Sequence, residues 1–565
     1  MLIGGTLNMM IVTLLSVADF IIAGVLLGDD AVAGINLAIP LYSFAIFLGS
    51  LCSIGIPILY SREMGKFNQA KADQTFGFGL GMNVIAGILV MVFSLLAGNA
   101  YLSFFDPSES VFHYAEGYLF WMSFVFLILP LQSYLREMIF ADGDEVLSAI
   151  VSIVQTVGNI PLSIILCHSM GSAGIALGTL LATALSIPVA LAHFPKKTNS
   201  LRINLYFSRP MMKSVVKYSM IDASAYIYVA IYVACLEKYT VWRFGAETLI
   251  IVAVILLLAK FTLVFDGIGM AITPIISMYL GEGSYQGVRN TYRIAKMTCV
   301  IEGLVLTVAV FLAAPLLPKV LGIYDPGMIE LAVSCTRIVS LSYVFISLLY
   351  LLPSYYLLRG KIGLGAAICG LRDVVISIPL AILLGNIFGI YGMFAGLALT
   401  PLLATAISAL YILFRYGRAE YPLLITEQEK QGGFVFFEFD IRPEEVLRIR
   451  DEAEKVLRAR QYDDKTVISV MLLIEEMFML VYDLNEGIPV MGECTLVMRD
   501  NHIEIIEKDN GRPFDLTDED MPVTSLRAYL ISTFAGQRTQ KKQHLMTISS
   551  NRNVFEIKVG EKSQI

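Results

Sequence analysis

The chain is written in long apolar blocks separated by short polar breaks. Hydrophobic runs occupy about 2–27, 32–60, 76–99, 117–141, 146–168, 172–194, 214–241, 247–280, 296–318, 329–357, 364–386 and 389–414. A helix of ~20 residues crosses the hydrocarbon core of a bilayer, so the pattern predicts twelve transmembrane helices. After Tyr416 the writing changes. Residues 420–433 mix Pro, Gly-Gly and charge and read as a linker. Beyond it, Phe434–Asp440 alternates like a strand, and Pro443–Arg460 and Asp464–Leu484 have helical periodicity. Glu493–Arg499 and Ile503–Lys508 read as strands, Thr524–Phe534 as a helix, and Gln543–Ser549 and Val554–Val559 as two more strands. That order fits a two-layer α/β domain on an antiparallel sheet.

The twelve blocks form two copies of six. Met64-Gly65-Lys66 after the second block is echoed by Leu280-Gly281-Glu282 after the eighth, and Phe105-Asp106-Pro107 by Tyr324-Asp325-Pro326. Asn159-Ile160-Pro161-Leu162 returns as Ser377-Ile378-Pro379-Leu380, and Gly171 and Gly174 return as Gly389 and Gly392. The separations all lie between 216 and 219 residues. An even number of helices per copy gives both copies one orientation, so these are parallel repeats. Transporters of that design hold substrate between the halves and rock to alternate access. The predicted architecture is therefore an α-helical polytopic membrane protein with two parallel six-helix repeats. Its lobes are 1–195 and 196–416, followed by a linker at 417–433 and a cytoplasmic α/β domain at 434–565.

Composition supports the membrane reading: 56% of the 565 residues are hydrophobic, 16% are charged and mean hydropathy is +0.70. The net charge of −7 says little, because the charges are so unevenly spread. Lys and Arg gather in alternate loops, with Arg62, Lys66 and Lys71 after the second block and Lys196, Lys197, Arg202, Arg209 and Lys213 between the lobes. The loop at 98–117 carries only acids. By the positive-inside rule both termini are cytoplasmic, in a multi-pass protein of the plasma membrane. The first run lacks the basic start and cleavage site of a signal peptide, and its abrupt beginning leaves room for a leading segment. The seven cysteines are scattered singly, with no paired spacing or metal-like cluster.

Asp19 is the one charge between Met1 and Leu27. A carboxylate inside a span costs a few kcal/mol on insertion scales and marks a functional site by default. Asp222, Lys260, Asp266, Glu302, Arg337, Arg372 and Asp373 also fall within apolar runs, and such groups commonly pair with one another between helices. Of these, Asp222 ranks next to Asp19. Asn159 fits either an interhelical hydrogen bond or an ion site.

Ala18-Asp19-Phe20-Ile21-Ile22-Ala23-Gly24 with Gly65-Lys66-Phe67-Asn68-Gln69-Ala70, and Arg136 through Asp142-Gly143-Asp144 with Asn159, resemble the MATE (multidrug and toxic compound extrusion) transporters. The resemblance covers about 1–416. It implies efflux of amphipathic, often cationic compounds driven by inward Na⁺ or H⁺, with the coupling acid of the first helix at Asp19. The acidic partners it implies in the second lobe fall nearest Glu237, within a residue of the repeat-equivalent of Asp19, and Asp222 on the same helix.

In the tail, Leu472-Leu473-Ile474-Glu475-Glu476 and Ile503 through Lys508-Asp509-Asn510-Gly511-Arg512-Pro513-Phe514 resemble the Bergerat-fold ATP-binding domains of anti-sigma-factor kinases. Asn553 before the last strand fits that family's ending too. The resemblance implies adenine recognition by Asp509 and Gly511, with Glu476 on the long helix. The family's metal-binding asparagine is replaced by Leu480 or Met479, and Ser525–Thr533 lacks the glycines of the nucleotide lid. Mg²⁺ prefers oxygen ligands, so the domain is expected to be degenerate and catalytically inactive, with ATP doubtful. The expected role is regulatory, through a cytoplasmic protein partner.

The reading is thus a cation-coupled exporter of drug-like molecules, not an enzyme, with no cofactor, no metal site and no nucleic-acid partner. A flippase for lipid-linked oligosaccharide from the same superfamily is the alternative. An ATP-driven pump is disfavoured because no GxxxxGK[ST] loop occurs.

Overall fold

The computed structural model describes residues 4–6, 9–11, 19, 22–104, 107–196, 199–245, 248, 258–320, 325–418, 421–425, 434–498, 501–512, 527, 529–531, 536–541 and 551–559. After the partly described first span come α1 (Asp29–Ser53), α2 (Gly55–Gly65), α3 (Gln69–Ser103), α4 (Glu109–Ala141), α5 (Glu145–Met170) and α6 (Ser172–Leu191). The second half holds α7 (Arg209–Phe244), α8 (Asp266–Glu282), α9 (Tyr285–Ala313), α10 (Pro326–Ser340), α11 (Tyr343–Leu358), α12 (Ile362–Gly370) and α13 (Ser377–Tyr416).

Among the described residues, eight helices are long and apolar enough to cross a membrane, or nine if α10 and α11, bent by 48°, make one broken span. That is short of the twelve predicted, and the difference has structural sources. The first span is only partly described, α7 is not among those eight, and α12 runs on to α13 as one stretch, Ile362–Tyr416. Inside α13 the backbone of Gly389 turns to φ 68°, so two helices meet there.

The repeat has a matching physical expression. Gly171, between α5 and α6, has φ 61°, like Gly389. A Cβ on Gly174 would stand 2.1 Å from the carbonyl oxygen of Leu166, and one on Gly392 2.1 Å from that of Leu384. Both tight turns therefore need glycine twice, once for the left-handed backbone and once for the close approach.

The cores show how the halves meet. One cluster, including Ile35, Tyr118, Phe126 and Ile175, is built from the first half alone. Another, including Tyr239, Phe265, Tyr343 and Phe394, comes from the second. The third draws on both, with Tyr60, Phe76, Tyr134, Ile276, Tyr279 and Tyr356. The halves are thus joined at the end where α2 and α8 finish. A Cβ on Gly65 would lie 2.3 Å from the Met278 carbonyl oxygen, and one on Gly281 2.3 Å from that of Arg62. Gly5 of the first span also packs on Gly267.

A charged cluster at the same end anchors the start of the chain between the halves. Buried His193 bonds Asp142 through Nε2 at 3.0 Å and Asp144 through Nδ1 at 2.9 Å. With an acceptor on each side, both ring nitrogens must donate. Burial opposes that charge, but the two carboxylates outweigh it and raise the His193 pKa. Asp142 also accepts from the backbone N–H of Ser200 and from Tyr60.

The tail forms β1 (Phe434–Asp440), α14 (Pro443–Ala459), α15 (Asp464–Leu484), β2 (Met491–Met498), β3 (His502–Asp509), β4 (Gly536–Lys541) and β5 (Asn551–Lys558). The sheet is antiparallel with strand order β1-β2-β3-β5-β4. Its core joins Val446, Ile449 and Leu457 of α14 and Val470, Ile474 and Phe478 of α15 to Leu496, Ile505 and Phe555 of the strands. The strand expected at Gln543–Ser549 and most of the helix expected at Thr524–Phe534 lie outside the described residues. Part of the expected linker is packed instead: Tyr355, Tyr356 and Arg359 of the α11 end donate to the carbonyls of Leu423, Pro422 and Leu424.

Candidate functional site

The first half gathers polar side chains around Asp19. The turn at Gly171 folds α6 back along α5, and small residues let the two helices approach closely; a Cβ on Gly178 would lie 2.5 Å from Ser163 Oγ. Across that seam, Asn159 Nδ2 donates to Thr179 Oγ1 at 2.7 Å. Thr179 Oγ1 donates in turn to Asp19 Oδ2 at 3.4 Å, and the Tyr118 hydroxyl of α4 donates to the same oxygen at 2.9 Å. Among the described residues, Asp19 Oδ1 and Asn159 Oδ1 are buried with no hydrogen-bond partner. All the donors are neutral, and among the described residues no Lys, Arg or His pairs with Asp19. An acid so placed can take up a proton or a small cation. Asn159 is thus brought to Asp19, and Tyr118 and Thr179 are members the sequence reading missed.

The second half is arranged differently. Glu237, expected as the counterpart of Asp19, is exposed on α7. The buried stripe of α7 runs through Leu236, Tyr239 and Thr240, and the helical turn carries Glu237 off it. Asp222 lies on α7, but its side chain is outside what is described. Asp266, at the start of α8, lies within electrostatic reach of Arg372. Arg372 forks onto Asp373 at 2.6 and 2.9 Å and lies 4.6 Å from the Tyr350 ring centre. Both sit on a π-helical turn, Leu371–Val375. This ion pair joins neighbours on one turn rather than two helices.

In the tail, Asp509 is occupied by its own domain. Its Oδ1 accepts from the Gly511 N–H at 2.7 Å and from Asn551 Nδ2 at 2.9 Å. Asn485 fills the space against Gly511 and accepts from the Arg512 N–H at 2.7 Å. Glu476 pairs with Arg527 at 2.7 Å. Leu480 is buried in the apolar core and Met479 packs beside it. Asn553 donates to Glu507, whose carboxyl is pushed well above its usual range by burial and by the nearby Asp509. Leu472, Leu473, Glu476, Leu530 and Ile531 line a shallow, partly open depression.

A family model, MatE, matches residues 6–165 and 236–383, more than half of the chain. The chain belongs to the MatE family. Members are secondary transporters of the membrane, not enzymes, and among the relatives of this MatE chain are multidrug export proteins. The multidrug export protein MepA of Staphylococcus haemolyticus (strain JCSC1435) is 22% identical over 431 residues, covering 72% of this chain and 92% of its own. MepA of Staphylococcus saprophyticus is 23% identical over 408 residues, covering 69% and 86%. A MATE crystal structure in complex with MaL6 superposes with a TM-score of 0.68 at 18% identity, covering 73% of this chain and 94% of that one. A MOP superfamily transporter from Pyrococcus furiosus does so with 0.67 at 17%, with the same coverage. These likenesses establish the helical MATE fold of the membrane part.

Proposed function

We propose that this MatE chain is a cation-coupled antiporter, driven by Na⁺ or H⁺, that exports amphipathic, drug-like small molecules across the plasma membrane. Its tail is a cytoplasmic regulatory domain, and its membrane part has twelve spans in lobes 1–195 and 196–416. The first span, α7 and a division at Gly389, added to the nine apolar spans, make up twelve. The observation that carries the mechanism is the Asp19 carboxylate, held by Tyr118 and Thr179 with one buried oxygen free. Ion loading at Asp19 neutralises a charge inside the first half and so changes the balance between states of the cavity. Substrate and ion then bind linked states, and the inward ion gradient drives export. The export activity of the MepA relatives supports the substrate class.

The test is efflux from energised vesicles with Na⁺ and H⁺ gradients imposed separately. Asp19→Asn keeps the size and the hydrogen bonds but not the charge. Gradient-driven efflux should fall to background at normal protein level. Full efflux by that variant would take the carboxylate out of the mechanism.

A further inference from the structure

We propose that the tail's sheet is a latch on the transporter's own gate, binding the ends of both halves at once and favouring the state in which that end is closed. The inference rests on the reading of the two halves as parts that separate during transport.

The sheet has two faces. Ile503, Ile505, Leu496 and Phe555 face α14 and α15. Alternation puts Lys508, Glu493 and Arg552 on the opposite face, which would be solvated in a free domain. Instead, Arg552 is 2% exposed and Lys508 and Glu493 are each 1% exposed. What covers them is the closed end of the membrane part.

Arg552 donates through Nη1 to the Met64 carbonyl at 2.8 Å and through Nη2 to the Gly65 carbonyl at 2.9 Å, the last two residues of α2. The same guanidinium bonds Glu282, the last residue of α8, at 2.5 Å. One side chain thus holds the end of a helix from the first half and the end of a helix from the second. A cation suits the carbonyl end of a helix. Lys508 adds an ion pair to Glu282 at 2.8 Å, beneath the Tyr279 ring, and the Tyr279 hydroxyl donates to Glu493. Two cations and two anions balance, sealed from water.

A passenger domain needs one attachment, whereas this one sits across the seam where Gly65 and Gly281 touch. If α2 and α8 move apart, Arg552 cannot keep both sets of partners. It must leave either the two carbonyls or Glu282, and a buried charge stripped of a partner is strongly unfavourable. Opening therefore requires the sheet to lift from at least one half. Whatever frees the sheet favours the open end.

The experiment measures the seam directly, in the full chain in lipid nanodiscs, with spin labels on Lys66→Cys and Arg289→Cys in a background whose seven native cysteines are replaced. The parent should give one short distance. Arg552→Ala should add a longer-distance population, raising the open fraction at least about tenfold. Glu282→Gln strikes the same cluster from the membrane side and should do likewise, which covers the case in which the arginine variant does not fold. Arg448→Ala, on the exposed helix layer, should leave the parent distribution. Unchanged distances in both cluster variants would overturn the latch, as would an equal shift in Arg448→Ala. Because the distance needs neither substrate nor ion, the latch and the Asp19 mechanism fail separately.

Discussion

The seam between α2 and α8 offers a substitution whose size can be worked out from the geometry. A methyl group on Gly281 would stand 2.3 Å from the Arg62 carbonyl oxygen, where real Cβ contacts do not fall below 3.0 Å. The obstacle is backbone, so no side chain can rotate away; α2 must retreat by roughly 0.7 Å. Strain of this kind in a packed interior costs about 1–3 kcal/mol. It exists only while the halves touch, so Gly281→Ala should disfavour the closed end rather than unfold the protein. At about 1.4 kcal/mol per factor of ten, the closed-to-open ratio falls by roughly 5- to 150-fold. Ser277, a turn earlier on α8, is buried with no hydrogen-bond partner for its hydroxyl, so Ser277→Cys is a mild reporter. Alkylation of that thiol by a maleimide should accelerate in Gly281→Ala by the same factor. Gly81→Ala on α3, where a Cβ meets nothing within 4 Å, is the control and should not change the rate. Equal alkylation rates in a folded Gly281→Ala protein would refute the idea that the seam must part.

Two further outcomes follow from groups outside the membrane. The His193 pKa is raised in the folded protein, so its contribution is fully present below its unfolded pKa and is lost as pH rises through the folded value. Asp144, pulled down by Lys196 and His193 against burial, contributes above its unfolded pKa and loses that contribution as pH falls through the folded one. Protection of the amides at 199–201, taken relative to their intrinsic base-catalysed exchange, should therefore be greatest between those limits, and His193→Gln should abolish its loss at alkaline pH; a loss that survives would sink the assignment. Calorimetry on the whole protein should find weak or no ATP binding, with no gain from Mg²⁺, because Leu480 offers the metal no oxygen. Tight, Mg²⁺-dependent binding would show that another residue supplies the ligand.

The membrane part was legible because lipid imposes a simple rule on sequence. Long apolar runs had to be helices, and a lone charge in one of them, Asp19, stood out. Asn159 stood out as an amide in an apolar helix. Tyr118 and Thr179 did not, since such residues are common in helices and only the fold reveals which of them face an acid. Glu237 lies on the exposed side of α7, and the repeat offset gives a position along the helix but not the face it occupies. The covering of the sheet's second face by the membrane part was invisible for a related reason. Alternation in β3 tells that Glu504, Ile506 and Lys508 share a face, yet it reads the same whether water or another part of the chain covers that face. Similarly, Pro and Gly near residue 422 excluded a helix without disclosing that Tyr355, Tyr356 and Arg359 would bind the carbonyls there.

Those three side chains also set a tether length. Leu424 is pinned to the end of α11 and β1 begins at Phe434, so the distance between them cannot exceed roughly 36 Å even with the chain fully extended. A sheet that lets go of the seam thus stays confined within a few nanometres of it, at an effective concentration on the order of millimolar. Release is necessarily brief, and the contact re-forms without a diffusional search. A soluble competitor for Met64, Gly65 and Glu282 must match that local concentration, whereas a ligand that grips the lifted sheet need only hold it away. Proximity makes the second route the easier one, so this transporter's control is best sought on the tail rather than at the membrane.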